Sequence, residues 1–139
     1  MHHLVYASSS KNLMPLEELN SILEKARVSN SANNITGLLL YNDGNFLQVL
    51  EGEKGLIHSC YNKISKDPRH RGIITLLDEP ISYRSFEEWS MAFISYNDLT
   101  HDQRAGFSNV VSLVKNANED KVSSSQLIVR TYLKMFKMI

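Results

Sequence analysis

The apolar positions of this chain change period several times, and each change marks an element. Residues 2–7 form a run rich in aromatic and branched side chains, which predicts a first strand. Over residues 15–30 the spacing becomes helical, with Leu16, Leu19, Ile22, Leu23 and Ala26 on one side. Pro15 suits the first turn of that helix. Glu17 and Glu18 favour its positive end, and Lys25 and Arg27 its negative end. "ITGLLLY" and "NFLQVLE" predict two strands joined through Asn42-Asp43-Gly44-Asn45, where Asp-Gly is a strong hairpin signal. Residues 54–67 predict a second amphipathic helix, with Ile57, Cys60, Tyr61 and Ile64 on one side and Pro68 marking the end. "GIITLLDEPI" and "FEEWSMAFISY" predict two further strands. Two helices follow, over residues 99–116 and 124–139, with Thr100 and Ser124 as N-caps.

This order, β-α-β-β-α-β-β and then two helices, defines an α+β fold. Its first six elements match the ferredoxin-like split βαβ pattern. A mixed five-stranded sheet would carry the two long helices on one face, and the C-terminal helices would cover the other. Residues 1–97 would form the principal unit, and 98–139 a helical extension of the same compact body. The polar stretch 113–125 is the best linker candidate.

Composition narrows the function. A chain of 139 residues suits one domain with a real core. Fifteen basic residues balance fifteen acidic ones, so charge offers no case for nucleic acid or an anionic membrane. Cys60 is the single cysteine, which excludes an internal disulfide and fits a reducing cytoplasm. The N-terminus lacks a signal-peptide core, and no apolar run approaches the roughly 20 residues of a membrane span.

Most catalytic patterns fail. Ser8 and Lys11 have Ser-x-x-Lys spacing, but Ser8 ends a strand and the partner motifs are absent. The five histidines show no metal-ligand spacing, and no Gly-x-Gly-x-x-Gly follows the first strand. Arg69, His70 and Arg71 form a basic turn able to hold phosphate. Gln48 stands out. Its neighbours Phe46, Leu47, Val49 and Leu50 predict a strand buried on both faces, and an unpaired buried amide costs about 1–3 kcal/mol. First and third strands are commonly adjacent in such a sheet, so Tyr6 and Gln48 can meet. Asn30 at the end of the first long helix would lie above them, and Trp89 and Met91 would share a face of the last strand.

This set resembles the BLUF family, blue-light sensors that use FAD. The resemblance rests on "LVYASS", "NSANNITGLLLY", "FLQVLEGE", "ISKDPRH" and "FEEWSMAF" in that order, over roughly residues 1 to 97. It implies that Tyr6 and Gln48 are the photoactive tyrosine and glutamine, and that Asn30 hydrogen-bonds the flavin. Ile22 and Ile64 would sandwich the ring. Trp89 and Met91 correspond to the fifth-strand pair, either of which can occupy the site. Lys63 matches a position often basic near the ribityl-phosphate part, and Arg69 and His70 match the family's Arg-His pair. Ser29 departs from the Asn or His of some members. FAD is the implied cofactor, with FMN an alternative.

The resemblance also implies a mechanism. The excited flavin takes an electron from Tyr6, a proton moves through Gln48, and recombination leaves the amide rotated or tautomerised. The flavin carbonyl then gains a stronger hydrogen bond, and absorption shifts reversibly to the red. The chain would be a sensor and not an enzyme. Its signal would go to a downstream protein or alter its own homo-oligomeric assembly. Two rivals remain from the residues alone. An acylphosphatase-like hydrolase would need a Gly- and Arg-rich loop after the first strand, where only Lys11 stands. The other is a flavin-free interaction module on the same scaffold.

Overall fold

A computed structural model describes residues 1–87, 92–95, 111 and 122–136. They form strands β1 (His2–Ser10), β2 (Thr36–Asn42), β3 (Asn45–Gly52), β4 (His70–Pro80) and β5 (Ala92–Ser95). The helices are α1 (Leu16–Ala32), α2 (Lys54–Ser65) and α3 (Ser124–Met135). The sheet runs β4-β1-β3-β2-β5. All neighbours are antiparallel except β2 and β5, which are parallel. The helix expected over 99–116 falls outside the described residues apart from Val111, as do Thr100 and most of the 113–125 stretch.

Strand alternation sorts the side chains into two layers. Leu4, Tyr6, Leu39, Tyr41, Phe46 and Leu50 face Leu19 and Leu23 of α1 and Ile57 of α2. Val5, Leu38, Leu40, Leu47 and Val49 face the other way, against Phe86 and Val129, Tyr132 and Leu133 of α3. Each fully buried Leu, Val or Phe contributes about 1.5–3 kcal/mol over its exposed state. The β2–β3 turn has positive φ at Asp43 (47°) and Gly44 (85°), the combination a two-residue I′ hairpin needs. Gly37 permits close strand approach, because a Cβ there would lie 1.9 Å from the Val49 carbonyl oxygen.

Helix ends depart from the sequence expectations in detail. α1 continues to Ala32, so no basic residue lies in its last turn, and Lys25 and Arg27 are too far back to serve the carboxyl end. Asn33, not Asn30, is the C-cap. Asn34 takes positive φ (54°), and the Ile35 amide returns to the Asn30 carbonyl at 2.8 Å. This Schellman-type closure buries Ile35 and fixes Asn30 inside the final turn. α2 is capped by Glu53, whose carboxylate accepts from the amides of Gly55 (2.9 Å) and Leu56 (3.0 Å). α3 is capped by Ser123, one residue before the expected Ser124, because Gln126 completes a capping box with it.

Glu51 closes the far end of β3. Its side chain is fully buried and accepts from the amides of Ser85 (2.6 Å) and Phe86 (3.0 Å) and from the Thr36 hydroxyl (3.1 Å). Burial pushes its carboxyl above the usual range, opposed by those donors and by Arg84. Arg84 in turn donates to the carbonyls of Asn34 (2.7 Å) and Glu51 (3.1 Å). The cluster ties the residues after β4 to the β2–β3 pair. Glu51→Leu would strand the Ser85 and Phe86 amides, so urea unfolding is expected to show a loss of about 2–5 kcal/mol. Glu51→Gln keeps an acceptor oxygen and is expected to lose less. An unchanged midpoint for Glu51→Leu would contradict the anchoring role.

Candidate functional site

β1 and β3 are antiparallel with Tyr6 directly opposite Gln48. Both belong to the face beneath α1 and α2, in phase with Leu4, Phe46 and Leu50. The Tyr6 hydroxyl donates to Gln48 Oε1, and the two residues are 1% and 4% exposed. Burial pushes the Tyr6 phenol well above its ordinary pKa, with Cys60, Tyr61 and Asp67 adding to the rise. Burial therefore favours the neutral phenol, which is the donor in this bond. A carboxamide whose oxygen accepts this bond carries its two N–H donors at the opposite corner.

The helices bring the other candidates to the same layer. Asn30 is buried at the end of α1, and the Cys60 thiol of α2 reaches its Oδ1 at 4.0 Å, a weak sulfur contact. Burial raises the Cys60 pKa, which keeps it a thiol. Ile64 packs half-buried against the layer from α2, and Ile22 is half-buried on α1. Ser29 and Lys63 are exposed on α1 and α2. Trp89 and Met91 lie outside the described residues, and the described part of the last strand is the shorter Ala92–Ser95.

The Arg69–His70 pair divides. Arg69 points outward and is gripped by Asp67, whose oxygens accept from its Nε at 2.9 and 3.0 Å. That contact holds the Asp67 carboxyl down to about 2. Arg69 borders a cleft of about 250 Å³ with Lys11, Asn12, Leu13, Met14, Glu18 and Pro68. His70 turns inward instead. Its Nδ1 lies 2.9 Å from the Ser8 hydroxyl, and its ring centroid is 4.9 Å from Phe46 and 6.5 Å from Tyr6. Burial lowers its pKa and favours the neutral ring.

Two neighbours of the pair were not legible as site residues. The Tyr61 ring lies 5.5 Å from Tyr6, with its hydroxyl 2.9 Å from Thr75 Oγ1. Tyr41 stacks at 4.8 Å on Phe46, and its hydroxyl accepts from the Met14 amide at 3.0 Å. Period-two spacing put Phe46 on the face of Gln48, but nothing local set how near α2 would bring Tyr61.

The description "BLUF: Sensors of blue-light using FAD" matches residues 1–92. The chain is similar to the photoactivated adenylate cyclase subunit alpha of Euglena gracilis, 41% identical over 83 residues, covering 60% of this chain and 8% of that protein. It is also similar to the blue light- and temperature-regulated antirepressor BluF of Escherichia coli K12, 32% identical over 88 residues, covering 63% of this chain and 22% of the relative. This chain therefore spans only a small part of those proteins. The dark-state structure of BlrB, a BLUF protein, superposes with a TM-score of 0.68 at 28% identity, covering 95% of this chain and 96% of BlrB. With two thirds of its length matched by one family, and the tyrosine–glutamine pair in place, the chain belongs to BLUF, the sensors of blue light that use FAD.

Proposed function

We propose that this chain works as a photoreceptor in which Tyr6 and Gln48 convert light into a changed hydrogen-bond pattern on non-covalently bound FAD. The observation that carries this is the buried bond from the Tyr6 hydroxyl to Gln48 Oε1. The donor set also suits a flavin. Two carboxamides, Asn30 and Gln48, are buried on the helix side of the sheet, with Ile64 packed against the same layer from α2 and Ile22 half-buried on α1. Such a set matches an apolar planar ring with carbonyl and imine acceptors along its edge.

When bound, FAD supplies the blue-light absorption and an excited state able to accept an electron. The protein's part is positional. Tyr6 presents an oxidisable phenol whose hydroxyl proton already points at Gln48. Gln48 relays that proton and keeps a rotated or imidic arrangement after charge returns, since its two ends have similar shape and opposite hydrogen-bond character. Ile22 and Ile64 exclude water, and low local polarity strengthens each bond the amide makes. Arg69 at the cleft rim and Lys63, exposed on α2, would meet the phosphates of the cofactor, and Ser29 would border the ring near Asn30. His70, being neutral and turned in, would pack behind Tyr6. Trp89 and Met91 would carry the change outward along the last strand.

In this reading residues 1–97 are the photosensory unit. α3 covers the opposite sheet face, and residues 98–139 would read out the signal to a protein partner or to a second copy. The sensor has no catalytic step of its own.

A light-minus-dark absorption spectrum of the purified, yellow protein is expected to show a reversible red shift. Colourless protein with adequate FAD supply, or no shift, would overturn the proposal. Tyr6→Phe and Gln48→Leu are each expected to retain flavin yet lose the red-shifted state, and a parent-like photocycle in either would remove that residue's role. Asn30→Ala is expected to lower flavin retention about tenfold while switching persists in the loaded fraction, roughly the worth of one buried hydrogen bond. Equilibrium dialysis against free FAD measures it.

A further inference from the structure

Away from the flavin site, three elements bring two imidazoles and a carboxylate to one point. His2 begins β1, His58 lies on α2 and Asp78 on β4. His2 Nε2 is 2.5 Å and His58 Nε2 2.8 Å from the same oxygen, Asp78 Oδ1. The two rings stand edge to face, 5.4 Å apart at 80°, so that both nitrogens converge without stacking. The ligating atoms of all three residues lie within 4.8 Å of one another. We propose that His2, His58 and Asp78 form a binding site for a divalent transition-metal ion of the zinc type.

The chemistry of the set favours that class of ion. Two imidazoles and one carboxylate suit zinc and its neighbours, whereas magnesium and calcium prefer oxygen donors. Bonds of about 2.0–2.1 Å in a tetrahedron place ligand atoms about 3.3 Å apart. The two N···O separations, 2.5 and 2.8 Å, must therefore open by less than about an ångström, while the two nitrogens already lie within 4.8 Å of each other. His2 is held in place, with a side chain 7% exposed, while His58 (34%) and Asp78 (40%) have the freedom to adjust. The exposed side leaves a fourth position for water. The Asp78 carboxylate accepts from both imidazoles at one oxygen and supplies the negative charge of the set.

In the present arrangement each Nε2 serves the carboxylate as an N–H donor. On binding, each Nε2 lone pair bonds to the ion and the ring proton resides on Nδ1. Any surplus proton passes to solvent. The ion would pin the first half of α2 to β1 and β4, toward the end of the helix opposite Ile64. This site is independent of the photochemistry: His2 is on the Tyr6 face of β1, but none of the three ligands is among the residues assigned to the flavin.

The test uses tag-free, flavin-loaded full chain, stripped with a chelator and titrated with Zn²⁺ in excess Mg²⁺ by calorimetry. One Zn²⁺ per chain is expected, with a dissociation constant of roughly 10 µM or tighter, together with a raised thermal midpoint. His58→Ala and Asp78→Asn, both near the surface, are each expected to weaken binding at least about tenfold. Their flavin spectra and zinc-free unfolding midpoints establish that they are folded. His3→Gln, on the opposite sheet face beside Glu79, is expected to keep the parent affinity. No saturable binding, or parent-like affinity in both ligand variants, would overturn the site and leave a proton-filled histidine–aspartate cluster.

Discussion

Everything in this molecule rests on the antiparallel register of β1 against β3. It sets Tyr6 opposite Gln48 and directs both toward the helices. Side chains alternate with period two, so a slip of one residue would send Gln48 into the layer beneath α3 and leave an aliphatic residue in its place. The β1–β4 ladder contains register shifts between Val5 and Tyr6 and between Ala7 and Ser9, whereas the β1–β3 ladder has none. The irregularity is confined to the side away from the glutamine. Leu4, Leu50, Phe46 and Tyr41 then pack around the pair and make any other register costly.

Within that frame the choice of a carboxamide has a physical logic. An aliphatic residue at position 48 would satisfy packing and leave the Tyr6 hydroxyl without this acceptor. A carboxylate would add a charge with large desolvation cost. A carboxamide is neutral, accepts from the phenol and donates from its other corner. Its two orientations are close in shape, so the surrounding close-packed layer distinguishes them by hydrogen bonding alone. The same burial that favours the neutral phenol strengthens its bond to the amide.

The strand that carries Gln48 also carries Glu51, and Glu51 reaches away from the site. Its carboxylate holds the amides of Ser85 and Phe86, and the Ser85 hydroxyl lies 2.6 Å from that of Ser123, the N-cap of α3. Phe86 is itself part of the apolar layer under α3. A contiguous set of hydrogen bonds and packed side chains therefore joins the candidate photoactive strand to the C-terminal helix. It passes beside the segment that leads to Trp89 and Met91. On the proposed function, this would be a physical path from Gln48 to the opposite face.

The sequence by itself determined the alternation of elements, the I′ turn at Asp43-Gly44 and the two-layer pattern, because each depends on spacing within a few residues. It also singled out Gln48, since a buried amide among aliphatic neighbours is a local anomaly, while Tyr6 and Asn30 were reached through the expected strand adjacency and the family resemblance. Cap positions were displaced by a residue or more where a competing backbone or side-chain group was close. The Ile35 amide moved the end of α1 past Asn30, and Gln126 selected Ser123 over Ser124. Only the tertiary structure decided what depends on residues far apart in the chain. It turned His70 inward while Arg69 stayed outside with Asp67. It placed Tyr61 against Tyr6 and gathered His2, His58 and Asp78 to a point. Periodicity assigns a side chain to a face, but the distance between two faces is set by how whole elements pack, and no local pattern encodes that.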